Sequence, residues 1–382
     1  MKKYFFFAAC ASVAFASCVN NDVPEAPLNE QHVITFDTPV VQPNSRGYGN
    51  EIGTAYKNDV EFKAFAWYNS DGSYTTGEGV DFFDDWTSVA INENNWYPYY
   101  MDGDTKKFYY WPKEGSLTFL AYSPASLTST STVTLTNKSL NISSYEVKND
   151  GTAHTDLLVS DKTYDEEEQP SDAAIHFHHA LSSILFNAKL GGNYAGATVK
   201  LTGIELTKIN SKGNFFQNLD DMNGKVMRLP IKTKGKTDDV LLSTMPELST
   251  YAPSWNSDTP VDYTVGDIVD QVLTTDLYYP STGNANRPAE ATVSSFRESD
   301  FILIPQTIAD DAKLVVSYKL KVGSGLEVEQ VTTMKLNTIT SEWEMGYRYV
   351  YNIVISLSPI TFEPTVQAWV DAKADPGFGV EP

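Results

Sequence analysis

From Val33 onward, no stretch of this 382-residue chain sustains the apolar period of a long amphipathic helix. It reads instead as short apolar or alternating runs, broken by Gly, Asn, Asp and Pro. Examples are VEFKAFAWY (60–68), SLTFLAYSP (116–124), ATVKLTGIELTKI (197–209), KLVVSYKLKV (313–322) and YRYVYNIVISL (347–357). Turn residues at such intervals predict an all-β chain of sandwich type. Its 22 Tyr residues agree, because aromatic side chains suit the pleated surface. The most helix-permissive piece, DYTVGDIVDQVLTTDLY at 262–278, is expected to hold no more than a short turn. So many strands exceed one ordinary sandwich. We expect two antiparallel β-sandwich domains in tandem, 33–172 and 173–382. The junction falls at DKTYDEEEQPSD (161–172), whose run of like charge reads as a solvated loop.

Residues 1–17 stand apart. MKK is a basic start, YFFFAACASVAFA an apolar run, and Cys18 follows small residues. This pattern reads as a signal peptide, its apolar run being shorter than a membrane span requires. Its shape is similar to a bacterial lipoprotein signal, with Cys18 as the acylated new N-terminus and 18–32 as a polar tether. One departure is Phe15, where Leu is usual three residues before the Cys. The competing reading is an ordinary signal peptide with a coincidental Cys. Cleavage would remove Lys2 and Lys3, leaving 26 basic residues against 49 acidic. That balance excludes nucleic acid and electrostatic docking on anionic lipid. Any outer-membrane contact would come from the lipid. A lone Cys cannot form an intramolecular disulfide, so the fold must rest on its core.

The search for chemistry returns little. In HFHH (176–179), His176 and His178 share a strand face, but a metal site needs a third ligand there. They read as strand histidines near a sheet edge. DEEE (165–168) lacks the calcium-loop spacing, and DGD (102–104) is equally weak. There is no G-x-S-x-G elbow and no phosphate loop. We expect no catalysis, cofactor or metal. WYPYYMDGDTKKFYYW (96–111) packs eight aromatics into sixteen residues. Buried, they would be core; exposed, they could stack on sugar rings. Arg46 lies in the Gly-rich stretch QPNSRGYGNE (42–51), directly after an apolar strand, where a protease can bind extended backbone.

Several motifs in order resemble those of the fimbrillin-like proteins of Gram-negative anaerobes. They are YYWPKEGSLTFLAYSP, DLLVS (156–160), HFHHALSSILF, GIELTKINSKGNF (203–215), ILIPQ (302–306), WEMGYRYVYNIVI and ITFEPTVQAWV (360–370). The resemblance implies a type V pilus subunit with two transthyretin-like domains. It implies export as an outer-membrane lipoprotein and later residence in a cell-surface fimbrium. An Arg-specific processing protease would cut between Arg46 and Gly47. That would remove the strand 33–41, and a C-terminal strand (360–372) of another fimbrial subunit would fill the groove.

The two segments echo each other: ITFDTPV at 34–40 and ITFEPTV at 360–366. Alternation would put Ile34, Phe36 and Val40 on one face of the displaced strand. It would put Ile360, Phe362, Val366, Ala368 and Val370 on one face of the donor. Both faces would fill the same pockets, in the same phase. The alternative reading is a monomeric surface lipoprotein that binds host or bacterial glycans through the 96–111 aromatics.

Overall fold

A computed structural model describes residues 32–37, 39–42, 54–56, 59–70, 80–92, 95–135, 139–149, 156–160, 163–166, 173, 175–218, 254–265, 268–278, 301–356 and 361–368. The described residues are strands and loops with two short 3-10 helices, Ala125–Ser129 and Leu336–Thr338, and no α-helix. Cys18, Arg46, Gly47, Ile360 and Val370 lie outside them.

An eleven-stranded sheet organises the first half. Its main order is Thr54–Ala55, Val40–Gln42, His176–His179, Leu158–Ser160, Ser116–Ser123, Phe62–Asn69, Thr87–Asn92, Asn95–Asp102 and Thr105–Phe108. Val80–Asp81 and Thr163–Glu166 attach to its central strands. The stretch expected to be a solvated acidic loop is therefore partly strand, with Thr163–Glu166 paired to Phe119–Ser116. It extends the row begun by Leu158–Ser160, so backbone pairing overrides the acidic composition there.

The central strands are buried on both faces. Phe62, Ala64, Ala66 and Tyr68 look into one aromatic core, together with Leu117, Phe119 and Ala121. Phe65, Trp67, Leu120 and Tyr122 look into a second, larger core. Two buried faces explain why SLTFLAYS shows no polar alternation.

The larger core is covered by the second half of the chain. Ala197–Asn218 is a 22-residue strand and the hub of a seven-stranded sheet. It pairs with Lys313–Val322, Ser139–Glu146, Ser254–Thr264 and Gln271–Val272. Ser182–Leu190, Phe301–Leu303, Tyr347–Ile355 and Thr361–Ala368 form a four-stranded sheet. Sheet membership crosses residue 172 in both directions. Thr132–Leu135 and Ser139–Glu146 belong to the later sheet, and His176–His179 to the earlier one. The 262–278 stretch completes one strand and adds the short Gln271–Val272 strand, with no helix among its described residues.

Pairing is mainly antiparallel, but not wholly as expected. Val40–Gln42 runs parallel to His176–His178, and Ser183–Leu190 runs parallel to Arg348–Ile355. In the second pair Asn187 and Asn352 sit opposite, and Asn187 Nδ2 donates to Asn352 Oδ1 at 2.8 Å, pairing one donor with one acceptor between buried strands.

Motifs singled out in the sequence have physical roles. Gln306 of ILIPQ accepts from the Asn210 amide at 2.9 Å and donates to its carbonyl at 3.2 Å, imitating a strand partner. In WEMGYRYVY, Trp343 Nε1 donates to the Tyr351 hydroxyl at 2.9 Å. Gly346 takes φ +73° and donates its amide to the Leu181 carbonyl, a turn that favours Gly.

Candidate functional site

The segment 32–37 closes the first sheet on itself. On one side it pairs with the aromatic hairpin region. Ile34 donates to the Tyr109 carbonyl at 2.9 Å, Phe36 to the Trp96 carbonyl at 2.9 Å, and Trp111 to the His32 carbonyl at 2.8 Å. On the other side Ala173 donates to the Thr35 carbonyl at 2.9 Å, and Asp37 to the Ala173 carbonyl at 3.0 Å. The bridges are antiparallel towards Trp96 and Tyr110 and parallel towards Ala173. One short piece of chain thus joins two strand rows that would otherwise face each other across an open seam.

Its side chains complete the aromatic core. Ile34 and Phe36 are fully buried. The Phe36 ring meets Phe119 edge-on at 5.2 Å and lies 6.2 Å from Phe62. Downstream, Val40–Gln42 continues the seam beside His176–His178 and carries Thr54–Ala55 on its outer side. Pro39 and Val41 are buried as well. The parallel partner changes from Ala173 to His176 along this stretch, and Pro39 has no amide to donate to a ladder. Val40 keeps a place on the seam through backbone pairing with His176 and Ala55.

The second echo lies elsewhere. Thr361–Ala368 pairs antiparallel with Tyr347–Val354 of its own chain, in a terminal position of the four-stranded sheet. The register sets Phe362 opposite Ile353, Pro364 opposite Tyr351, Val366 opposite Tyr349 and Ala368 opposite Tyr347. Ile353, Tyr351 and Tyr349 are core residues, and burial pushes the Tyr349 hydroxyl up to about 12. Among the described residues, Val40–Gln42 and Thr361–Ala368 belong to different sheets.

The histidines are not at a sheet edge, as expected, but on an interior strand between Val40–Gln42 and Leu158–Ser160. His176 and His178 are partly exposed, while His179 is fully buried with Nδ1 2.6 Å from Asp156 Oδ2. Sequence reasoning missed that pair because the residues are 23 apart in the chain. Among the described residues no three His, Cys, Asp or Glu side chains are grouped to hold a metal.

The aromatic stretch 96–111 divides. Trp96 and Trp111 are core. Tyr97 packs on Phe108 at 5.0 Å, Lys106 Nζ sits 3.9 Å above the Tyr99 ring, and Tyr110 is 44% exposed. A separate cleft of about 260 Å³ is lined by Phe65, Trp67, Trp86, Asp81, Asp85 and the edge strand at Val133. Burial, followed by the Asp84 and Asp85 charges, raises the Asp81 carboxyl above the usual carboxylate range. No helix among the described residues is long and apolar enough to cross a membrane.

The described residues form an all-β fold in which an N-terminal segment is hydrogen-bonded on both sides of a seam. A profile of fimbrillin-like proteins matches residues 50–369, and the chain belongs to the fimbrillin-like family. Among solved structures, a fimbrial protein from Bacteroides vulgatus is 15% identical with a TM-score of 0.49, covering 88% of this chain and 100% of its own. A candidate cell adhesion protein from Bacteroides ovatus is 12% identical with a TM-score of 0.45, covering 89% and 98%. A fimbrial assembly protein from Parabacteroides distasonis is 11% identical with a TM-score of 0.32, covering 88% and 99%. No curated protein matches this chain.

Proposed function

We propose that this chain is a structural or adhesive fimbrial subunit assembled by strand exchange. It leaves the cell as a lipoprotein precursor acylated on Cys18. A protease then cuts between Arg46 and Gly47, freeing the strand 33–41 from the body of the molecule. The extended C-terminal strand of a neighbouring subunit takes its place on the seam. In this reading the precursor's own strand keeps the groove filled until export is complete, and no catalysis is involved.

The observation that carries the reading is the seam itself. The segment 32–37 is hydrogen-bonded on both sides and inserts Ile34 and Phe36 into an aromatic core, yet it precedes Arg46 in the chain. Removing it leaves unpaired backbone rows and apolar pockets, which an extended strand can satisfy. The backbone ladder would supply affinity, and the Ile34 and Phe36 pockets specificity. The donor's Ile360 and Phe362 match them in type and spacing. The two tandem domains are taken as transthyretin-like in the same reading.

The test is the polymer. Surface extracts of cells carrying the wild-type gene should give detergent-resistant, heat-sensitive ladders, and Arg46→Ala should abolish them. Ladders unchanged in Arg46→Ala would refute the processing step.

A second reading is favoured by one observation, the partly exposed Tyr97, Tyr99 and Phe108 and the exposed Tyr110 of the 95–110 hairpin region. These could stack on sugar rings, as a platform on the tip of an adhesive subunit or of a monomeric lipoprotein. Polysaccharide binding by an uncut monomer would support the monomeric form.

A further inference from the structure

Tyr56 lies ten residues beyond Arg46, so it stays with the body of the protein if the chain is cut there. Its ring is 5% exposed and sits inside the same aromatic core as Phe36. It stacks on Phe177 at 5.2 Å and meets Phe62 and Trp96 edge-on at 5.6 and 5.4 Å. Its hydroxyl lies 2.5 Å from Ser123 Oγ. All four of these partners also remain after the cut. Towards the segment that would leave, Tyr56 makes a backbone bond, its amide donating to the Pro39 carbonyl at 2.7 Å. Just before it, Thr54 and Ala55 pair antiparallel with Val41 and Val40.

The strand at Val40–Gln42 is therefore held between two rows. His176–His178 lies on its inner side and Thr54–Ala55 on its outer side. Loss of the strand opens both rows at once, but the outer row is pinned in place by the Tyr56 ring. We infer that Thr54–Tyr56 is a clamp that stays on the seam after processing and hydrogen-bonds the outer edge of a C-terminal strand from a second copy of this chain. This rests on the strand-exchange reading above. The occupant is argued from the echo: overlaying ITFEPTV on ITFDTPV sets Val366 where Val40 pairs with Ala55. The same overlay sets the Thr365 carbonyl where Pro39 accepts the Tyr56 amide. An edge-bound strand is held by one ladder, whereas a strand between two rows is held by two, so the clamp acts mainly on escape of the donor.

The experiment uses the protein cut after Arg46 and a synthetic peptide of residues 360–372 as the probe. Peptide release and hydrogen exchange at the Tyr56 amide are measured together. The clamp predicts that bound peptide protects the Tyr56 amide. It predicts release about tenfold faster or more from Tyr56→Ala, where three ring contacts are lost. Tyr56→Phe keeps the ring and should release near the wild-type rate. Equal release from wild type and Tyr56→Ala would overturn the clamp, and so would a Tyr56 amide that stays unprotected under bound peptide. The wild-type exchange measurement decides the matter even if Tyr56→Ala does not fold. Failure of any cut protein to bind peptide would remove the strand-exchange reading and the clamp with it, a result distinct from binding without protection.

Discussion

Phe36 meets Phe119 edge to face with ring centroids 5.2 Å apart, and Arg46 lies between the two residues in the sequence. A core contact is thus made across the bond that processing would break. Phe36→Ala should destabilise the intact precursor by about 3–5 kcal/mol, the usual cost of emptying a buried aromatic site. The same substitution should leave the cut protein unaffected, because residue 36 is no longer attached. Denaturant midpoints of the two forms check both halves of the prediction.

Phe362 sits opposite Ile353 at one end of the four-stranded sheet. Phe362→Asp should block polymerisation by placing a charge where an apolar pocket must be filled. Secretion should persist, since Thr361–Ala368 flanks Tyr347–Ile355 on one side only. Wild-type ladder lengths from Phe362→Asp would contradict this assignment of the donor.

Trp343 Nε1 donates to the Tyr351 hydroxyl inside the larger core. Tyr351→Phe leaves the shape almost unchanged but strands a buried donor. The expected loss is about 1–3 kcal/mol by chemical denaturation. Trp343→Phe in the same background should cost less than its effect alone, since the orphaned donor is removed with it.

Asp81 titrates above its ordinary range because burial and then Asp84 and Asp85 disfavour its charge. The folded state therefore holds this proton at pH values where the unfolded chain has released it. Stability from this group falls as pH rises from about 3.9 through the raised folded value, opposite to a salt-bridged Asp. Asp81→Asn should accordingly raise the melting temperature at neutral pH. The gain should shrink below about pH 4. A gain that is the same at both pH values would show that charge is not its cause.

The all-β character was legible because apolar runs such as VEFKAFAWY alternate with period two. The long strand Ala197–Asn218 was legible only to Ile209. KINSKGN is mostly polar and carries a Gly, yet the strand runs through it with a register shift between Leu206 and Ile209 and with Lys208 at φ +61°. Gly213 is required there, since a Cβ would come within 2.9 Å of the Asn256 carbonyl. Of the candidate site, Ile34 and Phe36 were singled out from the echo of ITFDTPV in ITFEPTV and from the family resemblance, with alternation placing them on one face. Their partners Trp96, Tyr109 and Ala173 were not, because closure of a sheet on itself depends on distant pairing.

The central claim is that the strand holding Ile34 and Phe36 is exchanged when the subunit assembles. N-terminal sequencing of the assembled, surface-derived polymer tests it most directly. The account predicts Gly47 as the first residue of its subunits. A polymer whose subunits still carry residues 33–46 would contradict it.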